Sequence, residues 1–214
     1  SNCTGESLRK SLELQKLGVD GLLIISPYYN KTNEEGMYHH LADVMDVVNV
    51  PCILYNIPGR TGCKISPAVV ERLSAHPNAW GIKEASGDIS YAASIAHCLS
   101  DDFRMMSGND DMIVPLMSLG AVGVISVWAD VAPRTVHDLC TKFLAGDVAG
   151  ARKLQIDNLE LIHSLFCEVN PIPVKAALAK MGLLDENYRK PLWPMTDSDR
   201  ERLYAAMKGA GLID

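Results

Sequence analysis

The chain has 214 residues, 48% of them apolar and 21% charged, with a formal net charge of −6 from 20 basic and 26 acidic side chains. That length buries a sizeable core, so one domain with a helical extension is expected. No basic patch stands out and no apolar run approaches a membrane span, which argues against nucleic acid and membrane as partners.

Short apolar runs alternate with helical periodicity along the first two thirds. Leu22–Ile25 reads as a strand, followed by a helix whose buried stripe is Met37, Leu41, Val44, Met45 and Val48. Cys52–Ile57 is the next strand. Ser66-Pro67 then gives an N-cap serine with proline at the first helical position, leading into Val69, Val70 and Leu73. Ala79–Glu84 precedes a helix from about Ser90 to Leu99. Phe103–Ser107 precedes one through Ile113 and Leu119, and Ala121–Val127 precedes one from Pro133 to Leu144. The strands are apolar throughout, which predicts a parallel sheet covered on both faces with right-handed helical crossovers. From Asp147 onward only helices are expected: Ala149–Cys167, Val174–Met181 and Asp197–Lys208. The reading is α/β, with a parallel βα region over 1–146 and a helical region over 147–214.

The six cysteines, at 3, 52, 63, 98, 140 and 167, form no C-x-x-C and read as reduced, buried thiols of a cytoplasmic protein. His39 and His40 are adjacent on a helix, point to different sides and cannot share a metal. No metal site is expected. The chain opens with Ser1-Asn2 rather than methionine, as a tag scar or the middle of a longer protein would.

In parallel α/β folds, chemistry gathers at the carboxyl ends of strands. Those ends read Ser26-Pro27-Tyr28-Tyr29-Asn30, Tyr55-Asn56-Ile57-Pro58-Gly59-Arg60-Thr61-Gly62, Lys83-Glu84-Ala85-Ser86-Gly87-Asp88, Ser107-Gly108-Asn109-Asp110 and Ile125-Ser126-Val127. A lysine amine condenses with a ketone to an iminium, an electron sink for carbon–carbon bond formation. A nearby tyrosine hydroxyl supplies the mobile proton. An arginine in a glycine-flanked loop suits a carboxylate. Each residue also has a plainer reading. Lys83 is an edge lysine facing water, Tyr55 a rim aromatic, Arg60 a surface residue and Tyr28-Tyr29 interface packing. Glu84 and Asp88 are by default structural ion-pair partners of Lys83.

Pro27-Tyr28-Tyr29-Asn30, the Tyr55–Gly62 run, Gly81-Ile82-Lys83-Glu84-Ala85-Ser86-Gly87-Asp88 and Asn170-Pro171-Ile172-Pro173-Val174-Lys175 resemble the 4-hydroxy-tetrahydrodipicolinate synthase (dihydrodipicolinate synthase) family. This family belongs to the pyruvate-dependent, Schiff-base class I aldolases. The resemblance implies a TIM (β/α)8 barrel with C-terminal helices and a homo-oligomer, a dimer or a tetramer of tight dimers. The implied lyase condenses pyruvate with L-aspartate 4-semialdehyde in cytoplasmic lysine and diaminopimelate biosynthesis, with no cofactor beyond the covalent imine. By resemblance Lys83 forms that imine, Tyr55 is the central proton-relay hydroxyl, and Tyr29 completes a neighbour's relay. Arg60 holds the semialdehyde carboxylate, and Gly108 and Ile125 line the pyruvate pocket. Asn2, Glu6 and Tyr28 match part of an allosteric L-lysine site.

Family members begin with two further βα units and most of a third strand, which includes a Gly-Thr-Thr-Gly-Glu segment absent here, so five of eight barrel strands are expected. A fragment of a whole enzyme, a truncated homologue in an open or partner-completed assembly, and a degenerate pseudo-enzyme all fit that pattern. If the chain is truly this short, the lysine is expected to persist with severely impaired turnover. Two other readings stay open: a sister aldolase acting on N-acetylneuraminate or 2-keto-3-deoxy sugar acids, and a non-catalytic α/β module. The Gly59–Gly62 loop favours the synthase, since it offers a cation to a short amino-acid carboxylate.

Overall fold

A computed structural model describes all 214 residues. They form two compact units, Ser1–Asn109 with Pro115–Ile125, and Asp110–Val114 with Ser126–Asp214. The first unit carries five strands, β1 (Leu22–Ile25), β2 (Cys52–Asn56), β3 (Ala79–Glu84), β4 (Arg104–Ser107) and β5 (Gly123–Val124). They lie side by side in chain order and every pair is parallel, so β1 and β5 each pair on one side only.

The helices between them form where capping chemistry meets apolar periodicity. In α2 (Glu34–Val47) the Asn33 side chain accepts from the Gly36 N–H at 2.9 Å, and Met37, Leu41, Val44 and Met45 are buried. In α4 (Pro67–Ser74) Ser66 accepts from the Val69 N–H with Pro67 at the first helical position, and Val69, Val70 and Leu73 are buried. α5 (Ile89–Ile95) is capped by Asp88, whose carboxylate accepts from the Tyr91 N–H at 3.0 Å. Short helices α3 (Pro58–Thr61) and α6 (Ile113–Ser118) follow β2 and β4.

One helix of this unit falls outside the sequence-based expectation. α1 (Thr4–Lys16) buries Ser7 and Ser11, so its inward stripe is built of hydroxyls and gives no apolar period. The fifth strand is also shorter than the expected Ala121–Val127. Its ladder still continues, since the Val122 N–H bonds to the Met105 carbonyl and the Ile125 N–H to the Ser107 carbonyl, both at 2.9 Å.

The sheet is covered less evenly than its uniformly apolar strands suggest. Leu22, Ile24, Cys52, Leu54, Ile82 and Met105 are buried. On the alternate positions Leu23 is exposed, and Ile25, Ile53, Tyr55 and Lys83 are half-buried. A closed barrel turns that second face inward. Five strands with two unpaired edges leave it half-open, and apolar composition alone does not distinguish the two cases.

The second unit is helical: α7 (Trp128–Val131), α8 (Pro133–Leu144), α9 (Val148–Asp157), α10 (Leu159–Ser164), α11 (Ile172–Lys180) and α12 (Asp197–Gly209). The Asp110 carboxylate accepts the Val127 and Trp128 N–H groups at 3.1 and 2.8 Å, which starts α7. The single helix expected over Ala149–Cys167 is two, divided at Asn158. There the side-chain amide donates to the Leu154 carbonyl at 2.8 Å, a local bond that competes with helix propagation. Leu161, Ile162, Leu165, Leu203 and Met207 supply the core.

No helix is long and apolar enough to cross a membrane. All six cysteines are free, and only Cys52 is buried, against the expectation that they are buried as a group. Ile82, at 0% exposed in the middle of β3, tests how tightly the sheet is packed. Ile82→Val removes one methylene and is expected to lower the unfolding free energy by about 0.5–1.5 kcal/mol. The readout is a lower urea midpoint with an unchanged slope.

Candidate active site

Parallel pairing sets the candidate site. β2 and β3 run in register from Ile53↔Gly81 to Asn56↔Glu84, after a shift between Cys52 and Ile53. Tyr55 and Lys83 are therefore direct partners at the carboxyl ends of adjacent strands. The Lys83 Nζ lies 4.4 Å from the centroid of the Tyr55 ring, within cation–π range. Gly81 permits the neighbouring pairing with β4, because a Cβ there would run into the Arg104 backbone carbonyl.

The next carboxyl end makes room for the amine. The Gly108 N–H bonds to the Glu84 carbonyl at 2.7 Å, drawing the β4 end against the β3 end. A Cβ at Gly108 would lie 2.6 Å from the Ala85 Cβ and 3.0 Å from the Lys83 Cε, so glycine leaves the volume that the lysine chain occupies. The Ile125 N–H bonds to the Ser107 carbonyl and holds that residue at the end of the following strand.

Arg60 stands on α3, in the turn that leaves β2. Pro58 opens that turn and Gly62, in the left-handed region at φ 73°, closes it. The Thr61 hydroxyl bonds to the Cys63 carbonyl at 2.8 Å and stiffens the exit. The guanidinium is exposed, and its charge reaches the Tyr55 phenol. Burial pushes that phenol up from its ordinary value, and Arg60 pulls it back down. Lys83, Tyr55 and Arg60 thus share one rim, as expected, and Gly108 and Ile125 end the strands beside them.

Tyr29 follows the carboxyl end of β1. It is 89% exposed and sits at φ 67°, a left-handed conformation that costs a non-glycine residue about 1 kcal/mol or more. Tyr28 is exposed beside it. Asn2 lines a pocket of about 260 Å³ with Thr4, Asn30, Lys31, Thr32 and His40. Neither Glu6 nor Tyr28 lines that pocket, and Glu6 is ion-paired with Arg9 at 2.9 Å.

The default partners of Lys83 are placed differently. Asp88 pairs with Lys64 at 3.0 Å. Glu84, 2% exposed, accepts from Asn56 Nδ2 at 2.7 Å, from the Ser86 N–H at 2.7 Å and from the Ser86 hydroxyl. Burial pushes its carboxyl up, opposed by those hydrogen bonds. Asn56 and Ser86 were not singled out from sequence. The available signal was positional: Asn56 follows Tyr55 as Glu84 follows Lys83, in paired strands. No cluster of three or more His, Cys, Asp or Glu side chains is arranged to hold a metal ion.

Fold and rim together define a parallel α/β chain of the TIM-barrel class, with an amine, a phenol and a guanidinium at adjoining strand ends. The sequence profile of the Dihydrodipicolinate synthetase family matches residues 1–210. The 4-hydroxy-tetrahydrodipicolinate synthase 1 of Clostridium acetobutylicum is 46% identical over 213 residues, covering 100% of this chain and 73% of that one. The synthase of Pelobacter propionicus is 44% identical with the same coverage. The dihydrodipicolinate synthase structure from Thermotoga maritima superposes with a TM-score of 0.97 at 36% identity, over 99% of this chain and 73% of that one. The Acinetobacter baumannii enzyme, solved in complex with pyruvate, gives 0.95 at 42% identity over 99% and 73%. The Cyanidioschyzon merolae enzyme, solved with lysine bound, gives 0.96 at 36% over 99% and 72%. The chain belongs to the dihydrodipicolinate synthetase family and spans about 73% of the length of these relatives.

The coupling of Arg60 to Tyr55 is open to direct measurement. In a 13Cζ-tyrosine NMR titration, Tyr55 is expected to ionise above the ordinary phenol value of about 10. Replacing Arg60 by methionine removes the opposing positive charge and should move the transition further up. A downward shift would place the guanidinium's influence elsewhere.

Proposed function

We propose that this chain condenses pyruvate with L-aspartate 4-semialdehyde through an imine on Lys83, the lyase reaction after which its relatives are named. The observation that carries the reading is the Lys83 amine, 4.4 Å from the centroid of its strand-paired Tyr55 ring. A neutral Lys83 amine attacks the pyruvate keto carbon, and loss of water leaves an iminium. Loss of a methyl proton turns it into an enamine, whose carbon bonds to the aldehyde carbon of the second substrate. The substrate's own amino group then displaces Lys83 and closes the ring.

Each of these steps moves a proton, and the Tyr55 phenol, whose ring lies beside the amine, is the group to carry it. Its raised ionisation suits a group that must hold a proton between transfers. The Gly108 and Ile125 backbones flank the pyruvate end of the site, and the pyruvate complex of the Acinetobacter relative supports pyruvate as the ligand. Arg60, exposed at the mouth, takes the semialdehyde carboxylate. The strained, exposed Tyr29 reaches into the relay of a second copy of the chain, so the working form is a homo-oligomer. Asn2, Glu6 and Tyr28 contribute to an L-lysine effector site; the lysine-bound Cyanidioschyzon structure supports lysine as a ligand of the family. Six free thiols fit a reducing, cytoplasmic setting. The sugar-acid aldolase and non-catalytic readings gain nothing from the comparisons, since the relatives named above are called synthases from end to end of this chain.

The experiment is reductive trapping. Incubation with pyruvate and borohydride should leave a carboxyethyl group on Lys83, found by peptide mass spectrometry, and none on the Lys83→Ala variant. An unmodified Lys83 in folded wild-type protein rejects the reading. A second measurement separates the phenol from the amine. Tyr55→Phe should still form the adduct yet slow deuterium uptake into the pyruvate methyl group by about 10²–10⁴-fold, the usual contribution of a positioned acid–base group.

A further inference from the structure

Beneath the Tyr55–Lys83 pair lies a second pair whose role the reaction chemistry does not require. Alternation along a strand turns Asn56 and Glu84 to the face opposite Tyr55 and Lys83. They are 0% and 2% exposed. Asn56 Nδ2 donates to Glu84 Oε2 at 2.7 Å, and Asn56 Oδ1 accepts from the Ile65 N–H at 3.1 Å. The other Glu84 oxygen accepts from both the N–H and the hydroxyl of Ser86, and the Ser86 oxygen accepts from the Asp88 N–H at 3.1 Å. Ile65 is held from its other side, since the buried Tyr91 hydroxyl donates to its carbonyl at 2.7 Å.

Two loops therefore end on one buried pair, the first through Ile65 on Asn56 and the second through Ser86 on Glu84. The loop from Ile57 to Ile65 carries Arg60, and the loop from Ala85 to Asp88 follows the strand that carries Lys83. We infer that Glu84 and Asn56 are a positioning pair, which sets where the Arg60 loop stands relative to the Lys83 amine and so governs capture of the aldehyde substrate rather than of pyruvate. The inference rests on the function proposed above.

The hydrogen-bond inventory makes the pair testable by exchange. Every group facing Glu84 is a donor, and Asn56 must present its oxygen to Ile65 and its amide to Glu84. Glu84→Gln has one acceptor where two are needed. Whichever way its amide turns, a donor meets a donor at Asn56, at Ile65 or at Ser86. Asn56→Asp still offers the Ile65 N–H an acceptor but sets two buried carboxylates against each other, and their repulsion parts the pair and loosens that bond. In the double variant Glu84→Gln/Asn56→Asp every bond can form again. The carboxylate introduced on β2 accepts from Ile65 and from the amide introduced on β3, whose carbonyl oxygen accepts from Ser86. The charge has simply moved from one strand to the next.

Lys83 is first trapped with pyruvate and borohydride, which permits binding of L-aspartate 4-semialdehyde without turnover. Calorimetry then gives its Kd, and hydrogen exchange reads the Ile65 amide. Both single variants should accept pyruvate at the wild-type level. They should weaken semialdehyde binding roughly tenfold, since displacing a binding group by about 1 Å is costly, and should lose protection at Ile65. The double variant should recover Kd to within about threefold and restore the amide protection, as a coupled pair requires. Ile82→Val, which costs stability without touching a polar partner, should leave Kd unchanged. A double variant as weak as the singles, or Kd that tracks thermal stability through Ile82→Val, would overturn the inference. So would a wild-type protein that traps pyruvate but binds no semialdehyde. Failure of the trapping itself would instead reject the role of Lys83.

Discussion

The register of β2 against β3 governs what the rest of this chain can do. From Ile53↔Gly81 onward the strands pair residue for residue, which brings Tyr55 beside Lys83 and Asn56 beside Glu84. The side-chain period of a strand is two, so a slip by one residue would send the amine to the buried face and the carboxylate to the open one. Neither group tolerates that exchange. Glu84 has its hydrogen-bond donors only on the buried side, and a lysine buried there would meet Asn56 and Ser86 instead of the Tyr55 ring. The shift between Cys52 and Ile53 sets this register before the strands reach their functional ends.

Around that pairing, the chain separates reactive space from support. Gly108 withholds a side chain so that Lys83 can extend. Gly62 terminates the Arg60 turn in a conformation costly for other residues. The buried network beneath the rim then takes up the polar groups that such open turns expose, in the manner of an outer shell that orients the groups in contact with substrate. Buried polar groups of this kind are costly when one partner is lost, which keeps their arrangement singular.

The regular elements were largely legible in the sequence. Strands over Leu22–Ile25 and Ala79–Glu84 and the cap at Ser66-Pro67 follow from apolar runs and capping chemistry, and the structure shows them. Elements whose cause is not local periodicity were not legible. α1 presents serines inward, and the break at Asn158 comes from one side chain bonding back to the Leu154 carbonyl. The assignment of the acidic residues also needed three dimensions. Sequence proximity suggested Lys83 as the partner of both Glu84 and Asp88. Alternation along β3 turns Glu84 away from its neighbour, and Lys64, 24 residues away from Asp88, claims that carboxylate.

Residue chemistry and order alone specified a parallel α/β chain with the Lys83 amine, the Tyr55 phenol and the Arg60 guanidinium at its strand ends, because such side chains at the ends of apolar runs can be read one strand at a time. Which face each side chain takes, how the Asn56–Glu84 pair ties two loops together, and why Gly108 must lack a side chain were decided by packing. Those properties belong to pairs of strands, and the contacts that define them join residues 28 positions apart at Asn56 and Glu84, a separation over which local sequence pattern carries no signal.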